Sequence, residues 1–209
     1  MLENVYYINL ESRTDRKELV EKELNTLGWK YQRFNAIKMK NGRIGCSMSH
    51  LKLLQMAKEQ NLDYIVIVED DIEFKKPDKY NKMLKKFLSN YDKSDKSDIF
   101  DVLLLAGNLR NPVLKVNDYT LKVFKSWTTT GYIVKNHYFD TLINNIKEGI
   151  HYLLKNPDLH HLYAIDAYWM RLQEKDNWYI LYPRTITQRP MYSDIEQREI
   201  NYDRLMLDV

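Results

Sequence analysis

The segment Ile65-Val66-Ile67-Val68-Glu69-Asp70-Asp71 constrains the fold more than any other. Branching at Cβ restricts χ1, so this apolar run favours an extended chain on a pleated surface. With no polar alternation, it reads as a strand buried on both faces, as at the centre of a parallel sheet. The run stops in three successive carboxylates. Like charges at this spacing repel, so a positive group is required nearby. Ligands of open α/β sheets sit at the carboxyl ends of strands. A divalent cation that shares its oxygen ligands with a diphosphate would satisfy both conditions. A solvated acidic turn accounts for the same residues without any ligand.

Strand and helix patterns alternate on either side of this run. Val5 to Leu10 reads as a short strand, and Leu19, Val20, Leu24 and Leu27 recur at helical spacing before Gly28, a natural stop. Tyr31 to Ile37 predicts a second strand. Asn41 to His50 predicts a glycine-punctuated loop running into a helix whose buried side carries Met48, Leu51, Leu54 and Met56. A Lys-rich amphipathic helix is expected near 78–90, and a polar loop over Tyr91 to Asp98. Further strands are expected over Phe100 to Ala106 and Thr128 to Val134, with two short strands or a hairpin around Asn117-Asp118 between them. Helices follow near Tyr138 to Ile146 and Ile165 to Glu174, then a strand over Trp178 to Tyr182 and a polar, irregular tail from Gln188. A β-α-β-α opening followed by mixed strands indicates an α/β fold with a mostly parallel sheet.

Composition narrows the class. The 209 residues are 44% hydrophobic and 12% aromatic, enough for a packed core, and without internal repeats or a low-complexity linker they read as one domain. A net charge of +3 from well-mixed acids and bases leaves no nucleic-acid footprint. The single cysteine, Cys46, excludes an intramolecular disulfide and suits a reducing compartment. The N-terminus lacks the basic and apolar regions of a signal peptide. No apolar stretch approaches the ~18 residues of a membrane span. A cytoplasmic protein with no integral membrane segment is expected.

The opening YYINLESRTDR, then GCSMSH, VIVEDD, TTTGYIV, AIDAYW and QRPMYSDIE occur in one order between Val5 and Glu196. This ordered set resembles glycosyltransferase family 25, the lipooligosaccharide galactosyltransferases and their relatives that glycosylate collagen hydroxylysine. The resemblance implies a GT-A type nucleotide-sugar-binding fold, its mostly parallel central sheet flanked by helices, as a single glycosyltransferase domain over residues 1–209. It also implies a UDP-sugar donor, Mn²⁺ or Mg²⁺ as cofactor, and transfer of a hexose (galactose or glucose) with inversion. The acceptor would be a glycan or a collagen-like hydroxylysine.

Carried onto this chain, the resemblance makes Asp71 the direct metal ligand, with Glu69 beside the ribose and Asp70 beside the sugar or the metal's waters. Asp166 takes the place of the base that deprotonates the acceptor hydroxyl. Simple helix capping is its bland alternative, and a helix dipole would lower its pKa. Arg13 and Arg16 follow the first strand where a diphosphate would rest, and Arg forks onto phosphate; Asn9 is a donor-site candidate by the same position. His50 reads as a structural or donor-sugar contact and Cys46 as a small buried hydrophobe. His160-His161 falls in a polar loop with no zinc-ligand spacing. Tyr132 is a candidate for the acceptor cleft or for the core. No histidine follows His161, so the third metal ligand is open between Gln188, Asp194 and water. The alternative to an enzyme is a non-catalytic GT-A-like sugar-binding or scaffold module; a phosphoryl-transfer enzyme lacks its phosphate loop here.

Overall fold

The computed structural model describes residues 2–91 and 100–208, and most of the polar stretch expected as a loop after Tyr91 lies outside them. Its centre is an eight-stranded mixed sheet in the order β2-β1-β3-β8-β5-β9-β7-β6. The strands are β1 (Val5–Asn9), β2 (Tyr31–Asn35), β3 (Tyr64–Glu69), β5 (Val102–Leu104), β6 (Asn108–Asn117), β7 (Thr120–Trp127), β8 (Gly131–Lys135) and β9 (Trp178–Leu181). β1 pairs parallel with β2 and β3, and β5 with β9. β8 is antiparallel between β3 and β5, and β7 antiparallel between β9 and β6. Six of the eight strands therefore run one way, with β7 and β8 reversed.

The branched run behaves as its composition requires. Ile65, Val66, Ile67 and Val68 are each 0% exposed. Side chains alternate across a strand, so Val66 and Val68 face one core while Ile65 and Ile67 face the other. Helix α1 (Thr14–Leu27) brings Val20, Leu24 and Leu27 to the first face, beside Tyr80, Leu84 and Phe87 of α3 (Pro77–Tyr91). On the opposite face lie α2 (Gly42–Glu59), through Leu53, Leu54 and Ala57, and α4 (Phe139–Lys155), through Leu142, Ile143 and Ile146. Each large apolar side chain, fully buried, contributes about 1.5–3 kcal/mol, so the two-sided burial of β3 anchors the sheet. Gly28 ends α1 at φ 67°, and the Gly28 and Trp29 N–H groups donate to the carbonyls of Asn25 and Leu24. This is the left-handed cap that glycine adopts without a Cβ penalty.

Three expectations are corrected. The glycine-punctuated loop is helical from Gly42, because the Asn41 side chain caps it by accepting from the Arg43 N–H at 3.1 Å. Its buried positions include Ile44, His50, Leu53 and Ala57 beside Leu54, while Met48, Leu51 and Met56 are half-buried. The helix expected over Ile165 to Glu174 breaks into α6 (Ile165–Tyr168) and α7 (Met170–Gln173). Trp169 between them is fully buried and donates its indole N–H to the Ser126 carbonyl at 3.3 Å. Finally, the tail is ordered. β10 (Ile186–Gln188) pairs antiparallel with β4 (Ile72–Phe74), the strand just past the acidic triplet. A small hairpin, β11 (Met191–Ser193) and β12 (Arg198–Ile200), and α8 (Asp203–Met206) follow, and α8 seats Met206 in the core. The polar composition of the tail concealed this order, since the hairpin strands are three residues long and half exposed.

Candidate functional site

The carboxyl end of β3 opens into a cavity of about 670 Å³, within the range of small-molecule sites. Glu69, Asp70 and Asp71 line it, with Asp166, Gln188 and His50. Asp166 and Gln188 lie far along the chain from the triplet; Asp166 is brought in through the Thr128 N–H just before β8, which pairs with β3, and Gln188 through β10, which pairs with β4.

Each carboxylate of the triplet has its own environment. Glu69 accepts from the Thr129 hydroxyl at 2.7 Å, His50 Nε2 at 3.4 Å, Gln188 Nε2 at 3.4 Å and the Cys46 thiol at 3.6 Å. Burial pushes its pKa up, but the donors led by His50 and Thr129 outweigh it, and the group is held below its usual value. His50 is fully buried, and its Nδ1 lies 3.0 Å from the Tyr132 hydroxyl. Because Glu69 can only accept, Nε2 carries the proton and Tyr132 donates to Nδ1. Tyr132 itself is 0% exposed, stacked on His50 and edge-on to Trp169. It belongs to the core behind the cavity, which corrects the acceptor-cleft expectation.

Asp70 accepts from Asn9 Nδ2 at 2.8 Å and from Arg16 at 2.9 Å. Arg16 is 8% exposed, reaches within 3.9 Å of Asp71, and also donates to the Tyr192 carbonyl at 2.7 Å. The positive group demanded by three adjacent acids is therefore, in part, Arg16. Burial still raises the Asp70 pKa against the pull of Arg16 and Asn9. Asn9 lies beneath the cavity, where it orients Asp70 and accepts from Arg33 at 3.0 Å. Arg13 points elsewhere: its guanidinium forks onto Asp15 at 2.9 and 2.8 Å and meets Asp194 at 2.5 Å.

Asp71 is the least satisfied of the three. Its Oδ2 has only long contacts, from Gln188 Nε2 at 3.5 Å and Arg16 at 3.9 Å, and its buried Oδ1 has no partner among the described residues. Burial first, then Glu69 and Asp70, push its pKa up to about 8. A buried carboxylate with an orphaned oxygen and two acidic neighbours fits a cation. The residues that would hold one are Asp71 with Glu69 and, once its amide turns to present oxygen, Gln188. Asp194, the other third-ligand candidate, pairs with Arg13 instead of the acidic floor.

Asp166 sits in the first turn of α6 and accepts the Thr128 backbone N–H at 3.1 Å. It does not serve as the N-cap, which is Ala164. Burial raises its pKa, overriding the backbone donors, with Glu69 adding to the rise. The expected lowering at a helix N-terminus is present, through the Asp166 and Ala167 N–H groups, but burial outweighs it.

Sequence reasoning missed Thr128 and Thr129. Thr129 makes the shortest bond to Glu69, and Thr128 holds φ 79° while lining the cavity. A β-branched residue in the left-handed region is strained, and such strain concentrates at functional sites. The Thr128-Thr129-Thr130 run before Gly131 was visible, but it read as strand. Cys46 also does more than fill space: its sulfur, a His50 nitrogen and a Glu69 oxygen lie within 4.8 Å of one another. Burial keeps the thiol protonated, its pKa pushed well above the usual value, so here it acts as a weak donor. His160 and His161 are exposed on the short α5 (His160–Tyr163), away from this cluster.

An α/β sheet whose strand-end carboxylates floor a cavity of this size defines a small-molecule site of the open-sheet class. The sequence profile of glycosyltransferase family 25 (LPS biosynthesis protein) matches residues 2–42 and 38–169, and the chain belongs to that family. A Haemophilus influenzae protein named as a glycosyltransferase is 38% identical over 55 residues, 26% of this chain. The matched segment spans only 20% of that relative's length. Among solved structures, a glycosyltransferase involved in the glycosylation of the major capsid of PBCV-1 is 12% identical, with a TM-score of 0.47 over 98% of this chain and 90% of that one. A mannose-1-phosphate geranyltransferase from Thermus thermophilus is 9% identical, with a TM-score of 0.48 over 87% and 74%. Among the described residues, no helix is long and apolar enough to cross a membrane.

Proposed function

We propose that residues 1–209 act as one metal-dependent, inverting glycosyltransferase domain that takes a hexose, galactose or glucose, from a UDP-sugar. The acceptor is a glycan or a collagen-like hydroxylysine. The observation that carries the reading is Asp71: a buried carboxylate at the end of β3, facing a cavity, with an oxygen that no described protein group satisfies.

The chemistry follows from the neighbours. Departure of a nucleoside diphosphate builds negative charge, and a bound divalent cation supplies the compensating charge. Asp71, Glu69 and Gln188 hold it, while Arg16 fixes Asp70 so that the triplet keeps its spacing. Asp166 takes the proton from the acceptor hydroxyl as that oxygen bonds to the anomeric carbon and the bond to the diphosphate breaks on the opposite face. A carboxylate whose pKa is raised by burial is a stronger base than one in water, and the Thr128 N–H keeps its Oδ2 oriented.

The test is thermal stability with a panel of nucleotide sugars, each with and without Mn²⁺. Ligand at about 100 times its dissociation constant stabilises a fold by roughly 2.7 kcal/mol. One UDP-sugar should give a shift that requires the metal and disappears in Asp71→Ala. A well-folded protein with no shift for any donor would refute the reading in favour of a non-catalytic sugar-binding or scaffold module.

A further inference from the structure

The hairpin β11–β12 and its turn line the cavity, and ion pairs tie the turn to the rest of the molecule. Among the described residues its two strands pair only with each other, and none of their residues is fully buried. A two-stranded hairpin is marginal by itself, so its ties decide where it rests. Three are polar: Asp194 pairs with Arg13 at 2.5 Å, Glu196 with Arg43 at 2.7 Å, and the Tyr192 carbonyl accepts from Arg16 at 2.7 Å. Another is apolar: Ile195 lies against Gly42, where a Cβ would come within 3.3 Å of its Cγ1. Arg16 and Arg43, from the first turns of α1 and α2, and Arg13, which precedes α1, thus converge on one short segment. Arg43, Asp194 and Glu196 line the cavity.

Two of these ties use carboxylates where an anionic ligand would use phosphate. Asp194 and Glu196 are two residues apart, so their Cα atoms are at most ~7 Å from each other. Each is paired with an arginine, Asp194 with Arg13 and Glu196 with Arg43, and of the two arginines Arg43 is the one that lines the cavity. Arg forks onto phosphate as readily as onto carboxylate. The side chains of Arg43 and Glu196 are 25% and 35% exposed, and those of Arg13 and Asp194 are 19% and 43%. Pairs this open to water exchange partners at little cost.

We infer that Arg43, assisted by Arg13, is a diphosphate-binding group of the donor site, occupied in the free protein by Glu196 and Asp194 as stand-ins. Donor binding exchanges carboxylate for phosphate and releases the hairpin turn from the two arginines. The inference rests on the donor reading above. Arg13 keeps its fork onto Asp15 during the exchange, so Arg43, whose ion pair is with Glu196, carries the larger share.

The test uses inorganic pyrophosphate at low ionic strength with the metal chelated, read by titration calorimetry on the full chain. Asp194→Asn/Glu196→Gln frees the arginines and should bind pyrophosphate at least tenfold more tightly than wild type. Arg13→Gln/Arg43→Gln should lose most of that binding. The exchange Arg43→Glu with Glu196→Arg keeps the hairpin tied and should lose affinity as well, which separates anion binding from hairpin placement. In wild type, pyrophosphate should speed amide exchange over residues 191–200. Equal or weaker binding by Asp194→Asn/Glu196→Gln, or wild-type binding by Arg13→Gln/Arg43→Gln, would overturn the inference. If nucleotide sugars shift stability through Asp71 but the carboxylate variant binds no better, only this inference fails. If pyrophosphate behaves as expected while no nucleotide sugar binds, the donor reading fails and the anion site stands.

Discussion

Replacing Asp71 by Asn should make the metal-free protein more stable at alkaline pH. Asp71 titrates near 3.8 in an unfolded chain and at about 8 in the fold. Between those values the folded protein holds a proton that the unfolded chain has released. Stability therefore falls as pH rises through the window, and the loss is complete above about 8. At about 1.36 kcal/mol per pH unit, the whole window is worth on the order of 6 kcal/mol, and the portion from about pH 5 to 8 about 4 kcal/mol. Asn has nearly the same shape and no charge to bury, so it lacks this fall. The assay is urea unfolding of wild type and Asp71→Asn at several pH values from about 5 to 8.5, across the window, in the presence of a chelator. The difference between the two proteins cancels the titrating groups distant from Asp71, whereas Glu69 and Asp70 interact with it directly and belong to the same coupled change. Mn²⁺ should then restore wild type at about pH 8 and leave Asp71→Asn unmoved. Parallel pH profiles for the two proteins would refute both the burial argument and the assignment of Asp71 as the cation's anchor.

Three further outcomes follow from the same geometry. Asp166→Asn should cut sugar transfer by about 10²–10⁴-fold, the usual share of a general base, with the far-ultraviolet circular dichroism unchanged; steady-state assays with the identified donor measure it. Thr129→Val removes the 2.7 Å donor to Glu69 and should destabilise by about 1–3 kcal/mol, as for a buried acceptor left short of a partner, measurable by urea unfolding at neutral pH. Gly45→Ala would place a Cβ 2.4 Å from the Ile37 carbonyl oxygen. Backbone cannot yield as a side-chain tip does, so a loss of about 1–3 kcal/mol in thermal or urea unfolding is expected, together with weaker donor binding, since Ile37 and Gly45 both line the cavity.

Much of the scaffold was legible because its signals are local. The Ile65–Val68 run, the helical spacing of Val20, Leu24 and Leu27, and Gly28 as a stop each report on neighbours within a few residues. The strand-end acids announced a charge problem at one place in the chain. The order of the GCSMSH, VIVEDD and AIDAYW segments carried the family. The family came by resemblance of those ordered motifs; the strand run, the helical spacing and the glycine stop are properties of composition and periodicity, which the chain displays before it folds.

The partners that solve the charge problem were decided by tertiary structure alone. Whether Arg13 or Arg16 would face Asp70 depends on how α1 leaves β1: Arg13 is the non-helical N-cap, at φ −100° and ψ 64°, while Arg16 lies in the first helical turn. Arg16 came to the acids, and Arg13 went to Asp15 and Asp194. Thr129 meets Glu69 only because β8 runs antiparallel beside β3, a pairing between segments 60 residues apart. The same pairing sinks Tyr132 into the core behind His50. Gln188 reaches Asp71 because β10 docks on β4, across 117 residues of chain. Hydrophobic period tells which face of an element is buried, not which distant element covers it, and the chemistry of this site lies in those distant contacts.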